Sequence, residues 1–239
     1  MTENSRNKNF FAIVQARCGS TRLRGKILKK VKSLSFFEIL IKRLKRSKQI
    51  DKIIIATTTK KIDDKIIDLC KKHGTDYFRG PEKNVLKRYY LAAKKFNVHN
   101  VIRITSDCPL ADPDLIDKMI NLFKKEKKLQ YLSNTNPPTF PNGFDVEIFT
   151  FKILRYFQKK KLNSYEKEHV TINMKQSNFL KRNIENKDNL SAFRVTLDYK
   201  KDLIFFKKLF NYVNYDYDIS LNKILNLIKT KPFLFNKDY

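Results

Sequence analysis

The feature that most constrains this chain is an alternation, repeated four times, of a short strand-like run with an amphipathic stretch. The runs are residues 10–14, 53–56, 76–78 and 100–105. Runs apolar on both faces predict buried strands of a mostly parallel sheet. Between them, apolar residues recur at helical spacing. Phe36, Phe37, Leu40, Ile41 and Leu44 share a face within 36–48. Ile62, Ile66, Leu69 and Cys70 do so before His73-Gly74, which would end that helix, and 85–96 is a third helix. Asp112-Pro113 predicts a helix start, with Asp as N-cap and Pro at the first helical position. Leu115, Ile116, Met119, Ile120 and Phe123 then line its buried face. The alternation predicts a three-layer α/β sandwich.

Ligands of such sheets bind beyond the carboxyl ends of the strands. The residues just after each strand therefore carry the functional reading. Gln15-Ala16-Arg17-Cys18-Gly19-Ser20-Thr21-Arg22 comes after the first, Thr57-Thr58-Thr59 after the second, Arg79-Gly80 after the third and Ser106-Asp107-Cys108-Pro109 after the fourth. All four clusters fall on one edge of the predicted sheet, which marks it as the ligand site. The second half is less regular. Residues 134–143 hold three prolines and read as a loop, 144–149 alternate as an edge strand, 165–175 read as a helix and 193–197 as a strand. Residues 202–210 and 219–228 read as closing helices, with Asp202 as an N-cap. The chain reads as one domain over 1–239, with an excursion at about 134–189 that caps the sheet edge or serves dimerisation.

Lys and Arg number 51 against 24 Asp and Glu, a formal charge of +27. Such an excess steers anionic partners toward the protein. The lysines are dispersed, however, and AT-rich codon usage yields the same profile. A nucleic-acid-binding protein would show a clustered basic face, so no nucleic-acid partner is expected. Cys18, Cys70 and Cys108 lack metal-site spacing and fit a reducing cytoplasm. Residues 1–9 lack the apolar core of a signal peptide, and no apolar run is long enough to span a bilayer. The chain reads as cytoplasmic.

The turn Arg17-Cys18-Gly19-Ser20-Thr21-Arg22-Leu23-Arg24-Gly25-Lys26 suits a triphosphate. Gly19 and Gly25 let backbone amides approach phosphate oxygens, and Arg17, Arg22 and Lys26 add charge. Its spacing fits neither a Walker-A loop nor a G-x-G-x-x-G fingerprint. Asp107, ending a buried strand beside that turn, suits a Mg²⁺ ligand. Alone it reads more readily as the cap of a turn before Pro109. Asp198, at the end of Arg194-Val195-Thr196-Leu197-Asp198, repeats the logic, and two such carboxylates could share one Mg²⁺. That ion takes one or two carboxylates and completes its shell with phosphate oxygens and water. Asp145 and Glu147 share a face by alternation; they fit acceptor hydroxyls, a second metal or an exposed edge. His169, beside Glu168 on a predicted helix, reads as structural more readily than catalytic.

Read together, these segments resemble the cytidylyltransferases, the group that activates Kdo and acylneuraminates. The nearer resemblance is to the spore-coat polysaccharide biosynthesis protein F branch. It is carried by residues 14–28, by Ala56-Thr57-Thr58-Thr59 with Asp63-Asp64, and by Phe78-Arg79-Gly80 with Val85-Leu86. Arg103-Ile104-Thr105-Ser106-Asp107-Cys108-Pro109-Leu110 and Pro141-Asn142-Gly143-Phe144-Asp145-Val146-Glu147 come next. Glu168-His169-Val170-Thr171 and Arg194-Val195-Thr196-Leu197-Asp198 complete the order, over about residues 10–210. The resemblance implies a Rossmann-like sandwich of the nucleotide-diphospho-sugar transferase type. It implies attack of an acceptor oxygen on the α-phosphorus of CTP, with release of pyrophosphate. By motif match, Arg17, Gly19, Ser20, Arg22 and Lys26 hold the triphosphate, and Gln15, Ala16, Thr57, Thr58, Arg79 and Ser106 complete the nucleotide site. Asp107 and Asp198 hold Mg²⁺; Lys26, Arg17 and Asp107 carry the chemistry. Asp145, Glu147 and His169 face a small anionic acceptor. Apart from the resemblance, a homodimer is the default expectation because two-fold dimers are the commonest oligomers.

Three positions depart from the family pattern: Arg24 replaces a usual proline, Ser106 a glycine, and Asn84 an acidic residue. None removes a carboxylate or cation assigned to chemistry. A glycosyltransferase on the same fold would usually carry Asp-x-Asp, and Asp107-Cys108-Pro109 lacks the second aspartate.

Overall fold

The computed structural model describes residues 8–235; most of the 1–9 segment lies outside the described residues. The chain runs β1 (Phe10–Gln15), a small ribbon of β2 (Lys30–Val31) and β3 (Leu34–Ser35), α1 (Phe36–Leu44), β4 (Lys52–Thr58), α2 (Asp64–Lys72), β5 (Asp76–Gly80), α3 (Val85–Lys95) and β6 (Asn100–Thr105). It continues through α4 (Pro113–Lys125), β7 (Tyr131–Ser133), β8 (Glu147–Thr150), α5 (Phe151–Gln158), α6 (Ser164–Glu168), α7 (Ile172–Gln176), β9 (Lys181–Asn183), α8 (Lys200–Tyr212) and α9 (Leu221–Thr230).

Seven strands form one sheet in the order β5-β4-β1-β6-β8-β7-β9. The four on the β5 side are parallel, and β8 lies antiparallel between β6 and β7. Alternation along β1 explains why its run is apolar throughout. Ala12 and Val14 join the core with residues of α1, α4, α8 and α9, while Ile13 joins a second core with residues of α3, α5 and α7. Helices therefore cover both faces, giving a mostly parallel three-layer α/β sandwich. From β1 the chain moves outward to β4 and β5, then returns to β6 on the other flank. The strand order reverses between β1 and β6, and a crevice opens there beyond their carboxyl ends. No helix among the described residues is long and apolar enough to cross a membrane.

The second half departs from expectation in definite ways. Residues 144–149 do not form an edge strand: β8 begins at Glu147 and is interior, paired on both sides. Residues 193–197 are extended but not a strand. One bridge joins Arg194 to Asn142, and the amides of Val195 and Leu197 go to the carbonyls of Asn142 and Asp107. The helix expected over 165–175 is two helices, α6 and α7. Between them Val170 turns to φ 42° and buries its side chain against the α3–α5 core. Asp202 is not an N-cap; it lies in the first turn of α8, which Tyr199 caps. Its carboxylate accepts the amides of Asp198 and Tyr199. Ile62 is exposed in the turn Lys61–Asp63 rather than on the buried face of α2. Residues 134–189 include β8 and β9, so part of that stretch belongs to the sheet itself.

Candidate active site

The turn after β1 leaves the sheet at its centre. Ala16 still donates to Ala56 of β4, and Ser106 donates to Gln15 from the flank of β6. The turn then folds back on itself, with the Gly25 amide donating 3.1 Å to the Cys18 carbonyl. Gly25 has φ 63°, a left-handed conformation that a side chain would strain, and it directs the next residue, Lys26, inward. The Cys18 amide is held 2.7 Å from Oδ1 of the buried Asp63, whose other oxygen takes the Thr58 hydroxyl. A carboxylate beneath the turn thus ties it to the end of β4. Above it lies a cleft of about 470 Å³, lined by Gln15, Ala16, Arg17, Ser20, Thr21, Arg22, Lys26, Val85, Arg88, Thr105, Ser106, Asp107 and Glu168. Arg17 and Glu168 face each other at 3.7 Å across its rim.

Three chain segments meet at one end of this cleft. Lys26 Nζ lies 2.9 Å from Asp107 Oδ2 and 2.8 Å from Asp198 Oδ1. Asp198 Oδ1 also accepts from Arg22 at 2.8 Å, and its Oδ2 accepts from Arg194 at 2.8 Å. The backbone makes the meeting possible, because the Leu197 amide donates to the Asp107 carbonyl at 2.8 Å. Gly143 lets the 194–198 segment come this close: a Cβ there would stand 2.8 Å from the Val195 carbonyl oxygen. Burial disfavours the Lys26 charge, but Asp107 and Asp198 outweigh it and hold the ammonium pKa above its ordinary value. Burial likewise opposes the Asp198 charge, and Lys26, Arg194 and Arg22 together pull its pKa below the usual carboxylate value.

The sequence profile of the cytidylyltransferases matches residues 11–236. The chain belongs to the cytidylyltransferase family. It is 37% identical to the uncharacterised protein MJ1063 of Methanocaldococcus jannaschii, over 94% of this chain and 92% of that one. It is 32% identical to the spore coat polysaccharide biosynthesis protein SpsF of Bacillus subtilis, over 92% and 94% of the two chains. A cytidylyltransferase of Leptospira borgpetersenii superimposes with a TM-score of 0.92 at 30% identity, covering 98% of each chain.

In this cytidylyltransferase the remaining residues singled out from sequence are distributed unevenly. Gln15, Ala16, Arg17, Ser20, Arg22, Lys26, Ser106 and Asp107 all line the cleft. Gly19 lies on the same turn, its Cα hydrogen toward Glu82. Thr57 and Thr58 are buried at the end of β4, Thr58 against Asp63 and Thr57 with an unpartnered hydroxyl. Arg79 donates to the carbonyls of Thr58 and Lys60 and pairs with Asp64 at 2.8 Å; it does not line the cleft. His169 is exposed at the end of α6, its ring 4.2 Å from that of Tyr165.

Glu147 lies in a closed ionic cluster beside the cleft. It accepts from Arg103 and Tyr131 and lies 3.3 Å from Lys175 Nζ. Burial would raise its pKa, but Arg103 and Lys175 outweigh that and hold it at about 2. Neighbouring Asp145 is less well compensated: burial and the Glu147 charge outweigh Lys175 and Arg103 and push its pKa up to about 6. Arg103 also reaches the Gln15 side chain at 3.4 Å, which links the cluster to the cleft.

Three residues escape a reading by strand ends. Asp63 anchors the turn from inside, and only its place in the family motif singles it out. Arg194 secures Asp198 and pairs with buried Asp202 at 3.1 Å. Arg88 sits in the amphipathic pattern of α3, yet its guanidinium donates to the Pro81 carbonyl at 2.7 Å and reaches the cleft wall with Nε unpartnered.

Proposed function

We propose that this cytidylyltransferase transfers CMP from CTP to a small anionic acceptor and releases pyrophosphate. The acceptor class is a sugar acid, a sugar or polyol phosphate, or a phosphonate. The observation that supports the reading best is the Lys26 ammonium lying between Asp107 and Asp198, at one end of a cleft edged by a basic, glycine-bearing turn. In-line displacement at phosphorus asks little covalent chemistry of a protein; it asks for alignment and for cations where charge develops. Arg17, Arg22 and Lys26 supply cations, and Ser20 a hydroxyl, along one wall. Gln15, Ala16 and Ser106 lie along β1 and β6, where the nucleoside would rest. An acceptor that is already ionised needs no general base.

The residues fit a magnesium ion, because two carboxylates from distant segments already converge on one cationic centre. Asp107 and Asp198 would hold it. When bound, the ion supplies charge neutralisation at the α-phosphate and the departing pyrophosphate. Among the three residues assigned to the acceptor, Asp145 is half-buried and His169 exposed, so both are accessible to a substrate; Glu147 acts by holding Arg103. The same reading has the protein working in the cytoplasm. It pairs with a second copy through residues 134–189, where Tyr156, Tyr165 and Leu180 stand exposed. A role in surface-polysaccharide or glycoconjugate synthesis accords with the process named for the Bacillus subtilis relative.

The test is pyrophosphate release with each of the four nucleoside triphosphates and Mg²⁺, then an acceptor screen with CTP read by mass. A CMP-linked product is the expected result. Release with a purine triphosphate and not with CTP would overturn the reading.

A further inference from the structure

The two carboxylates assigned to the metal already have partners among the protein's own cations. Lys26 Nζ occupies one oxygen of each, and Arg22 occupies the same Asp198 oxygen as Lys26. The Lys26 side chain is only 10% exposed, so water does little to loosen these contacts. Arg194, the third cation on Asp198, is tied down by Asp202, a residue buried under the start of α8. Lys26 and Arg22 are different. Both belong to the turn that meets the phosphates, and the Arg22 side chain is 53% exposed. A divalent ion needs bare carboxylate oxygens at about 2.0–2.1 Å. An ammonium or guanidinium on those oxygens competes with it directly.

On the nucleotidyl-transfer reading, on which this depends, we infer that Lys26 and Arg22 form a latch. They hold Asp107 and Asp198 against divalent ions until a triphosphate draws both cations onto its own oxygens. One movement then frees the carboxylates and delivers positive charge to the phosphates. By linkage, triphosphate and metal each tighten the binding of the other. The protein would not take up a divalent ion ahead of its nucleotide.

The test is binding of Mn²⁺ alone to the full chain without nucleotide, read by the loss of the free-ion EPR signal. Lys26→Met keeps the length of the side chain and removes its charge. It is expected to bind Mn²⁺ at least about tenfold more tightly than the wild type, within the usual range of coupling between sites. Arg22→Met removes one of the two cations on Asp198 Oδ1 and leaves Lys26 in place, so it should give a smaller gain. Arg24→Met removes the same charge from an exposed position of the same turn and should stay within about twofold of the wild type. Adding Asp198→Asn to Lys26→Met should erase the gain. Equal affinities in Lys26→Met and Arg24→Met would overturn the latch. If Lys26→Met does not fold, Arg22→Met against Arg24→Met decides, and equality again overturns it. Wild type that releases pyrophosphate from CTP while the variants bind Mn²⁺ equally loses the latch and keeps the function. Wild type that binds none of the four triphosphates with Mn²⁺ present loses the function as well.

Discussion

The cluster at the cleft and the cluster around Glu147 use the same ingredients, two carboxylates and several cations, in different surroundings. At the cleft, Asp107 and Asp198 meet Lys26, Arg22 and Arg194, and the Asp107 and Arg22 side chains are partly open to water. Beside it, the almost fully buried Glu147 carboxylate meets Arg103, Lys175 and Tyr131, and half-buried Asp145 adjoins it. On the proposed function, ions in the first group exchange partners with an incoming phosphate. Ions in the second cannot leave without stranding a charge in the core, which costs far more than a surface pair returns. On the proposed function the first cluster is the working one and the second the structural one.

The largest expected effect tests the working side. Asp107→Asn keeps shape and removes charge, so pyrophosphate release should fall by about 10³-fold or more while the unfolding midpoint is unchanged. Comparable turnover would mean that the metal is held elsewhere. The structural side should respond in the opposite way. Glu147→Gln leaves the Arg103 guanidinium buried and uncompensated, and should cost about 3–5 kcal/mol in urea unfolding. A small stability loss with a large loss of turnover would erase the distinction between the clusters. The pH dependence has a definite sign. Because the Glu147 pKa is depressed to about 2 in the fold, its contribution is present above the ordinary carboxylate range and is lost as pH falls through about 2.

A smaller effect separates site charge from general charge. Lys26→Ala should raise the KM for CTP by about tenfold or more. Lys124→Ala, on the exposed side of α4, should leave it unchanged. Equal effects would point to the diffuse field of a protein of charge +27.

The working cluster was largely legible in the sequence and the structural one was not, for a physical reason. β1, β4, β5 and β6 are buried on both faces, so they stand out as short runs, and a parallel sheet places their polar successors on one edge. That places Asp107 on the right edge, and Asp198 is needed to favour a metal ligand over a turn cap. Asp198 could be singled out, but not through the strand expected for it, since its segment is held by one bridge to Asn142 and one amide bond to the Asp107 carbonyl. β7 and β9 have three residues each, too few for alternation to register. The Glu147 cluster joins β6, β7, β8 and α7 and depends on their pairing. Without that pairing, Glu147 looks like any acid on an edge strand. Ile62 shows the reverse failure: a helical period carried back to a residue two positions before α2 begins.

The smallest expected effect lies where the two clusters approach each other. Asp145 is the one carboxylate of the closed group whose pKa is pushed up, to about 6, by burial and by the Glu147 charge. A raised pKa in an acid means that the fold prefers the protonated form. That preference stabilises fully below the ordinary value of 3.8 and is lost as pH rises through about 6. Near neutral pH the ionised group is therefore a burden on the fold. Asp145→Asn removes it, and the unfolding midpoint at pH 7.5 should rise by about 2–4 °C. At pH 5 the folded wild type already carries the proton, so the advantage should shrink. An advantage of equal size at both values would mean that Asp145 is as well compensated as Asp198. On the proposed function, an acceptor hydroxyl donating to Asp145 would remove that burden.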